Sequence, residues 1–170
     1  MHPDPDRRAR FEALWDTHYR AVLAYATRRT APDEARDVAA EAFTAAWRRL
    51  DQAPDDARLW LLGLARGAVA NSLRSDRRRE ALAERVAANL AQPPSGDEDR
   101  GLADALARMP ERDVEALLLV AWEGLSNGEA AAVMGCSTAT FTVRLHRARR
   151  RLERLMAQPE AATAMGGEPA

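Results

Sequence analysis

Residues 125–154, LSNGEAAAVMGCSTATFTVRLHRARRRLER, restrict this chain more than any other stretch. Ser126, followed three positions later by Glu129, has the spacing of a capping box and starts a helix at Asn127. Gly135 suits the left-handed position that closes a helix, so the first helix is only about two turns long. Ser137 then caps a second helix running from Thr138 to about Met156. Two helices joined by a three-residue turn containing glycine form a helix-turn-helix.

The second helix has two faces. Phe141, Leu145, Ala148 and Leu152 recur at i, i+4, i+7 and i+11, an apolar stripe that belongs in a core. Thr142, Val143, His146, Arg147, Arg149 and Arg150 point elsewhere. Between Ser137 and Arg154 six arginines face a single acid, Glu153, which suits a polyanion such as the major groove of DNA. The plain alternative is a solvated charged helix in an ordinary bundle. Cap, turn, glycine and charge bias agree on one register, and that agreement favours the nucleic-acid reading.

Composition sets the fold class. The chain has 170 residues, 37 of them alanine, with no lysine and no isoleucine, and all 25 basic residues are arginine. Alanine and arginine favour helix and β-branched residues are scarce, which predicts an all-α protein. One cysteine, Cys136, excludes internal disulfides and cysteine-cluster zinc sites, and no cofactor is expected. The absence of a long apolar run or a signal peptide predicts a cytoplasmic protein without membrane insertion.

In chain order, Phe11, Leu14, Trp15, Tyr19, Val22, Leu23 and Tyr25 mark a helix over residues 7–29. Thr30 is placed to cap a second helix, which reaches about Leu50 with Val38, Ala42, Phe43, Ala46 and Trp47 inward. Residues 51–57, DQAPDDA, read as a loop. A third helix from Arg58 carries Trp60, Leu61, Leu64, Ala65 and Ala68 and ends in the basic run RSDRRR at 74–79; residues 80–91 extend it or form a short helix. QPPSGDEDR at 92–100 predicts a flexible linker. Beyond it, Leu102, Leu106 and Met109 mark one helix. Pro110 opens another that ends at Gly124, with Val114, Leu117, Leu118, Ala121 and Trp122 as its core face. Two small helical domains are therefore expected at 7–91 and 101–156, with a disordered tail at 157–170.

These segments resemble a known family. Residues 109–155 are similar to the region-4 domain of extracytoplasmic-function (ECF) sigma factors of RNA polymerase, and residues 11–79 resemble their region-2 domain. The resemblance implies a protein that binds core RNA polymerase, reads the −35 promoter element as duplex DNA and captures the −10 element as a single strand. It places Thr142, Val143, His146 and Arg147 toward base edges and nearby phosphates, with Thr140 and Arg144 at phosphate or helix-end positions. It places the loop of Asp55 and Asp56 around a flipped −10 base. Arg58, Arg66, Asn71, Arg74, Arg77 and Arg78 fall on the strand-facing side of the third helix. Asp37, Glu41 and Arg48 fall on the face that docks on the polymerase clamp. An anti-sigma factor is a further partner that the family brings with it.

The chain departs from the family pattern at Thr142, where Lys or Arg is common, and at Phe141, where Val is. Ala40 stands in place of a frequent Gln and Gly67 in place of a frequent Asn. Gly67 predicts a bend or a close approach. Trp15, Trp47, Trp60 and Trp122 read as core residues, and Cys136 as a small packed thiol. His2, His18 and His146 lack metal-ligand spacing, and no acid pair sits beside a nucleophile, so an enzyme is not expected. A helix-turn-helix regulator acting without core polymerase remains the alternative, followed by a protein-binding helical adaptor.

Overall fold

A computed structural model describes residues 5–72 and 97–157. Seven α-helices account for most of them: α1 (Pro5–Thr27), α2 (Pro32–Arg48), α3 (Arg58–Ser72), α4 (Asp97–Ala107), α5 (Glu111–Ala121), α6 (Asn127–Met134) and α7 (Thr138–Ala157). A 3₁₀ turn at Leu50–Gln52 follows α2. No strand occurs among the described residues, and no helix there is long and apolar enough to cross a membrane. The expected helix at 80–91, the residues Arg74, Arg77 and Arg78, the first part of the linker and the tail beyond residue 157 lie outside the described residues. Helix α4 opens at Asp97, inside the stretch expected to be linker, ahead of Leu102, which packs on a core.

The first half is a three-helix bundle. Alanines at 39, 42 and 46 are fully buried and let α2 approach its neighbours closely, while Val22, Tyr25, Phe43, Leu61 and Leu62 fill the space between. Trp15 is not the core residue its stripe position predicts; it stays 37% exposed. Its ring stacks on Tyr19 at 4.5 Å and leans on Phe43 at 4.7 Å, so one face is packed and the other meets solvent. Trp47 and Trp60 are half-buried.

Thr30 does not cap α2. The residue at the cap is Ala31, which makes no side-chain cap bond, and the helix opens at Pro32. Thr30 is instead buried, and its hydroxyl donates back to the Ala26 carbonyl at 3.0 Å. Burial at the end of α1 drew the hydroxyl inward, where an i−4 carbonyl is its nearest acceptor. Helix α2 stops at Arg48, and Leu50 reaches the core from the 3₁₀ turn instead.

In the second half α4, α5 and α7 enclose Leu106, Met109, Val114, Leu118 and Ala148. Helix α5 departs from its predicted single core face. Ala121 is exposed, whereas Ala116 and Leu119 are fully buried. Val114 and Leu118 face the second half's own core, and Ala116 and Leu119 join a cluster that also holds Val22, Phe43 and Leu61. Periodicity within α5 shows one stripe; the second lies in the larger cluster, which also holds Leu125, Ala130, Phe141 and Leu145 of the helix-turn-helix. Gly124, after the helix, sits at φ 65° and turns the chain into Leu125.

Gly67 needs neither of the devices its presence predicts. It is exposed within an unbroken α3, and a Cβ there would meet nothing within 4 Å. Gly67→Ala should therefore raise unfolding free energy by about 1 kcal/mol, the usual helix-interior difference between these residues; equal or lower denaturation midpoints would contradict that reading.

Candidate nucleic-acid interface

The helix-turn-helix forms as its caps dictate. Ser126 accepts from the Glu129 amide at 3.3 Å, and the Glu129 carboxylate accepts from the Ser126 amide at 2.8 Å. Gly135 takes φ 65° and ψ 39°, the left-handed conformation, and closes α6. Ser137 Oγ accepts from the Thr140 amide at 3.1 Å and starts α7. Phe141, Leu145 and Ala148 are buried and Leu152 is half-buried, so the stripe faces the core.

That orientation decides the outer face. Val143, 51% exposed, stands beside His146 and Arg147 along an open groove of about 880 Å³. Thr140, Arg144, Arg150 and Arg154 also line it. Arg151 is held to Asp113 of α5 at 3.3 Å, but no salt bridge among the described residues engages Arg144, Arg147, Arg149 or Arg150. A surface of unneutralised guanidinium groups around an apolar spot suits phosphates flanking a base edge.

Two of the expected contact residues have internal work. The Thr142 hydroxyl donates to the Thr138 carbonyl at 2.8 Å and accepts from Asn127 Nδ2 at 3.2 Å. Asn127 thereby ties the first helix of the motif to the second, a role that sequence spacing does not show. The Thr140 hydroxyl lies 2.8 Å from Ser137 Oγ and so belongs to the cap. Cys136 is half-buried against the core at the turn.

The second candidate surface centres on residues 51–57. Ala53 and Ala57 are buried and pin the loop, leaving Asp55 and Asp56 exposed. Asp56 accepts from the Arg58 amide at 3.2 Å at the start of α3, and Arg58 itself is exposed. Two arginines of α1, unnoticed in the sequence, hold the loop from behind. Arg7 bonds Asp51 Oδ1 and the Trp47 carbonyl, both at 2.7 Å, and Arg10 bonds the Ala53 carbonyl at 2.7 Å. Partners 40 or more positions apart leave no local signature.

Asp37, Glu41 and Arg48 are all exposed along α2. Asn71 Nδ2 donates to Glu41 Oε1 at 3.1 Å, which joins the expected clamp face to the expected strand face. Arg66 is the exception on α3. It is half-buried, and its Nε donates to the Val133 carbonyl of α6 at 3.3 Å.

Charge is also buried between the halves. Arg29, 1% exposed, donates to Glu115 at 2.9 Å and Glu123 at 2.8 Å, while the Tyr25 hydroxyl donates to Glu115 at 2.6 Å. Burial opposes the charge on Arg29, yet Glu115, Tyr25 and Glu123 outweigh it and hold its pKa above the ordinary value. Burial, then Glu115, pushes the Tyr25 phenol well above its usual range.

Residues 14–79 match the Sigma-70 region 2 family, and residues 99–152 match Sigma-70, region 4. The chain is 31% identical over 154 residues to "ECF RNA polymerase sigma factor SigL" of Mycobacterium tuberculosis, covering 85% of this chain and 87% of that protein. It is 32% identical over 162 residues to "Probable RNA polymerase sigma factor RfaY" of Xanthomonas campestris pv. campestris. That match takes in 88% of this chain and 40% of that relative, so the chain spans less than half the relative's length. Among solved structures, CnrH in complex with the cytosolic domain of CnrY aligns with a TM-score of 0.62 at 26% identity, over 88% of this chain and 89% of that one. The sigma factor RpoE of Bartonella quintana, solved with the anti-sigma factor NepR, shares the fold at a TM-score of 0.58 and 24% identity, over 88% and 98%.

Hydrogen bonds from the Ser126 backbone, then its side chain, hold the Glu129 carboxyl below the usual carboxylate range. A depressed folded pKa means the contribution is present above the unfolded value and lost as pH falls through the folded one. Glu129→Gln should therefore lower the melting temperature at neutral pH, and the gap from the parent chain should close in acid. A gap that persists unchanged at low pH would contradict the capping assignment.

Proposed function

The chain belongs to the extracytoplasmic-function branch of the sigma-70 family, and we propose that it binds core RNA polymerase, carries it to promoters and opens the DNA there. In this reading residues 7–91 are the region-2 domain, 101–156 the region-4 domain, 92–100 their linker and 157–170 a tail. Helix α7 enters the −35 major groove with Val143, His146 and Arg147 toward base edges, while Arg144 and Thr140 lie near the backbone. Asn127 and Thr142 set the angle between the two helices of the motif. The loop of Asp55 and Asp56 receives an unstacked −10 base, and Arg58, Asn71, Arg74, Arg77 and Arg78 follow the single strand. Asp37, Glu41 and Arg48 dock on core polymerase. The protein performs no catalysis itself and works in the cytoplasm, where polymerase and promoter are.

One observation carries most of this proposal: α7 buries Phe141, Leu145 and Ala148 and turns Arg144, Arg147 and Arg150, which have no salt bridge among the described residues, outward along an open groove. Transcription in vitro with purified core enzyme and a promoter library is the direct test. Binding to duplex operator without any complex with core polymerase would instead make the chain a helix-turn-helix regulator. An anti-sigma factor competing with polymerase for the helical surfaces is part of the proposal, and co-purification from the native cell tests it.

Arg147→Ala should cost roughly 1–3 kcal/mol of −35 duplex binding and relax sequence preference at one position. An equal loss on random DNA would reassign Arg147 to a phosphate. Arg77→Ala with Arg78→Ala should reduce open-complex formation, with a shallower dependence on salt than the parent chain. Unchanged melting and salt slope would remove both residues from the strand path.

A further inference from the structure

Arg7, Arg8 and Arg10 all lie near the start of α1, but they point to different partners. Arg8 bonds Glu12 within its own helix, an exposed pair one turn apart. Arg7 and Arg10 share one helical face, and both reach across to the segment that follows α2. Arg7 uses two nitrogens of its guanidinium. Nη2 donates to the Trp47 carbonyl and Nη1 to Asp51 Oδ1, each at 2.7 Å. The Trp47 carbonyl is among the last of α2, a position that lacks a partner within the helix. The Arg7 guanidinium carbon also lies 5.2 Å from the centre of the Trp47 ring. Arg10 uses a single nitrogen, Nη2, which donates to the Ala53 carbonyl at 2.7 Å.

These bonds leave little of the loop free. The Ala53 amide donates to the Leu50 carbonyl at 3.1 Å, so Ala53 is buried and held through both its backbone groups. At the far end Ala57 is fully buried, and its carbonyl accepts from the Leu61 amide at 2.9 Å. The Asp56 carboxylate accepts from the Arg58 amide at 3.2 Å. Only Pro54, Asp55 and Asp56 stand exposed between the two fixed points, and the proline ring restricts the first of them.

We propose that Arg7 and Arg10 are positioning residues for the −10 element. They touch no DNA and act through the backbone around residues 51–53, fixing where Asp55 and Asp56 meet the unstacked base. This rests on the reading of residues 51–57 as the loop that receives that base. Arg7 fixes the exit from α2, and Arg10 fixes the point at which the exposed tip begins. A loop held in place before contact gives up little freedom on binding, whereas one ordered only on contact loses affinity and discrimination together. Two arginines that never meet the base thereby influence which base is accepted.

Lysine separates the two roles. Its one ammonium can replace the single donor of Arg10, but it cannot span the Trp47 carbonyl and Asp51 as the Arg7 fork does. The full chain is assayed with purified core polymerase on promoters carrying each base in turn across the −10 element, with opening read from permanganate reactivity of unpaired thymines. Arg7→Ala and Arg10→Ala should each lower opening of the preferred promoter on the order of tenfold, the scale of one lost charge-assisted hydrogen bond. Both should also narrow the gap between preferred and disfavoured −10 bases. Arg10→Lys should restore most of the loss, and Arg7→Lys should not. The salt dependence of opening should keep the parent slope in every variant, because no phosphate contact is removed. In the free chain, amide hydrogen exchange should quicken over residues 51–57 in Arg10→Ala while the helices keep parental protection.

A shallower salt slope would make the arginine a phosphate contact and overturn the proposal. So would an equal loss on every −10 sequence, unchanged exchange in the loop, or a failure of Arg10→Lys to restore discrimination. If the parent chain opens no promoter with core enzyme, the sigma-factor reading fails instead, and exchange over residues 51–57 still decides whether Arg7 and Arg10 hold the loop.

Discussion

A buried guanidinium organises this molecule. Removing an ion from water costs several kcal/mol even after relaxation, and only close, well-aligned partners offset it. Arg29 meets that requirement with two carboxylates and an aromatic ring, each of which must be in place together. Such a bridge adds little to net stability, but losing either carboxylate would leave a buried charge short of a partner. From that one constraint the rest follows in sequence. Glu115 places α5 against the end of α1, the turn after α5 brings Glu123 to the same guanidinium, and α6 is thereby carried onto α3.

The helix-turn-helix depends on a different balance. Its eight-residue first helix is too short to stand alone and is held by caps at both ends. Its second helix is held by Phe141, which is fully buried. The Thr142 hydroxyl bonds inward to Asn127 and Thr138. Thr142 is thus an internal brace, while Arg147, Arg149 and Arg150 further along α7 stay exposed.

The loop at 51–57 is exposed at its acids and anchored at its alanines, and α1 supports it from beneath through Arg7 and Arg10. Side-chain donors on backbone carbonyls hold a loop without filling the space above it. The bond between Asn71 and Glu41 then couples α3 to α2, so surfaces with separate expected partners share one rigid support.

The amino-acid pattern by itself determined the all-helical class, the helix-turn-helix with its Ser126, Gly135 and Ser137 signals, and the inward stripe of α7. These are local matters, settled within one or two turns by capping, backbone conformation and periodicity. Tertiary structure alone decided that Thr30 turns inward instead of capping, that Trp15 keeps one face in water, and that Ala116 and Leu119 give α5 a second buried side. It alone brought Arg29 to Glu115 and Glu123 and covered Arg66 with α6. The Arg29 bridge and the contact on Arg66 depend on partners many tens of residues away, and a charge in a sequence carries no mark of whether water or a distant carboxylate will be its neighbour.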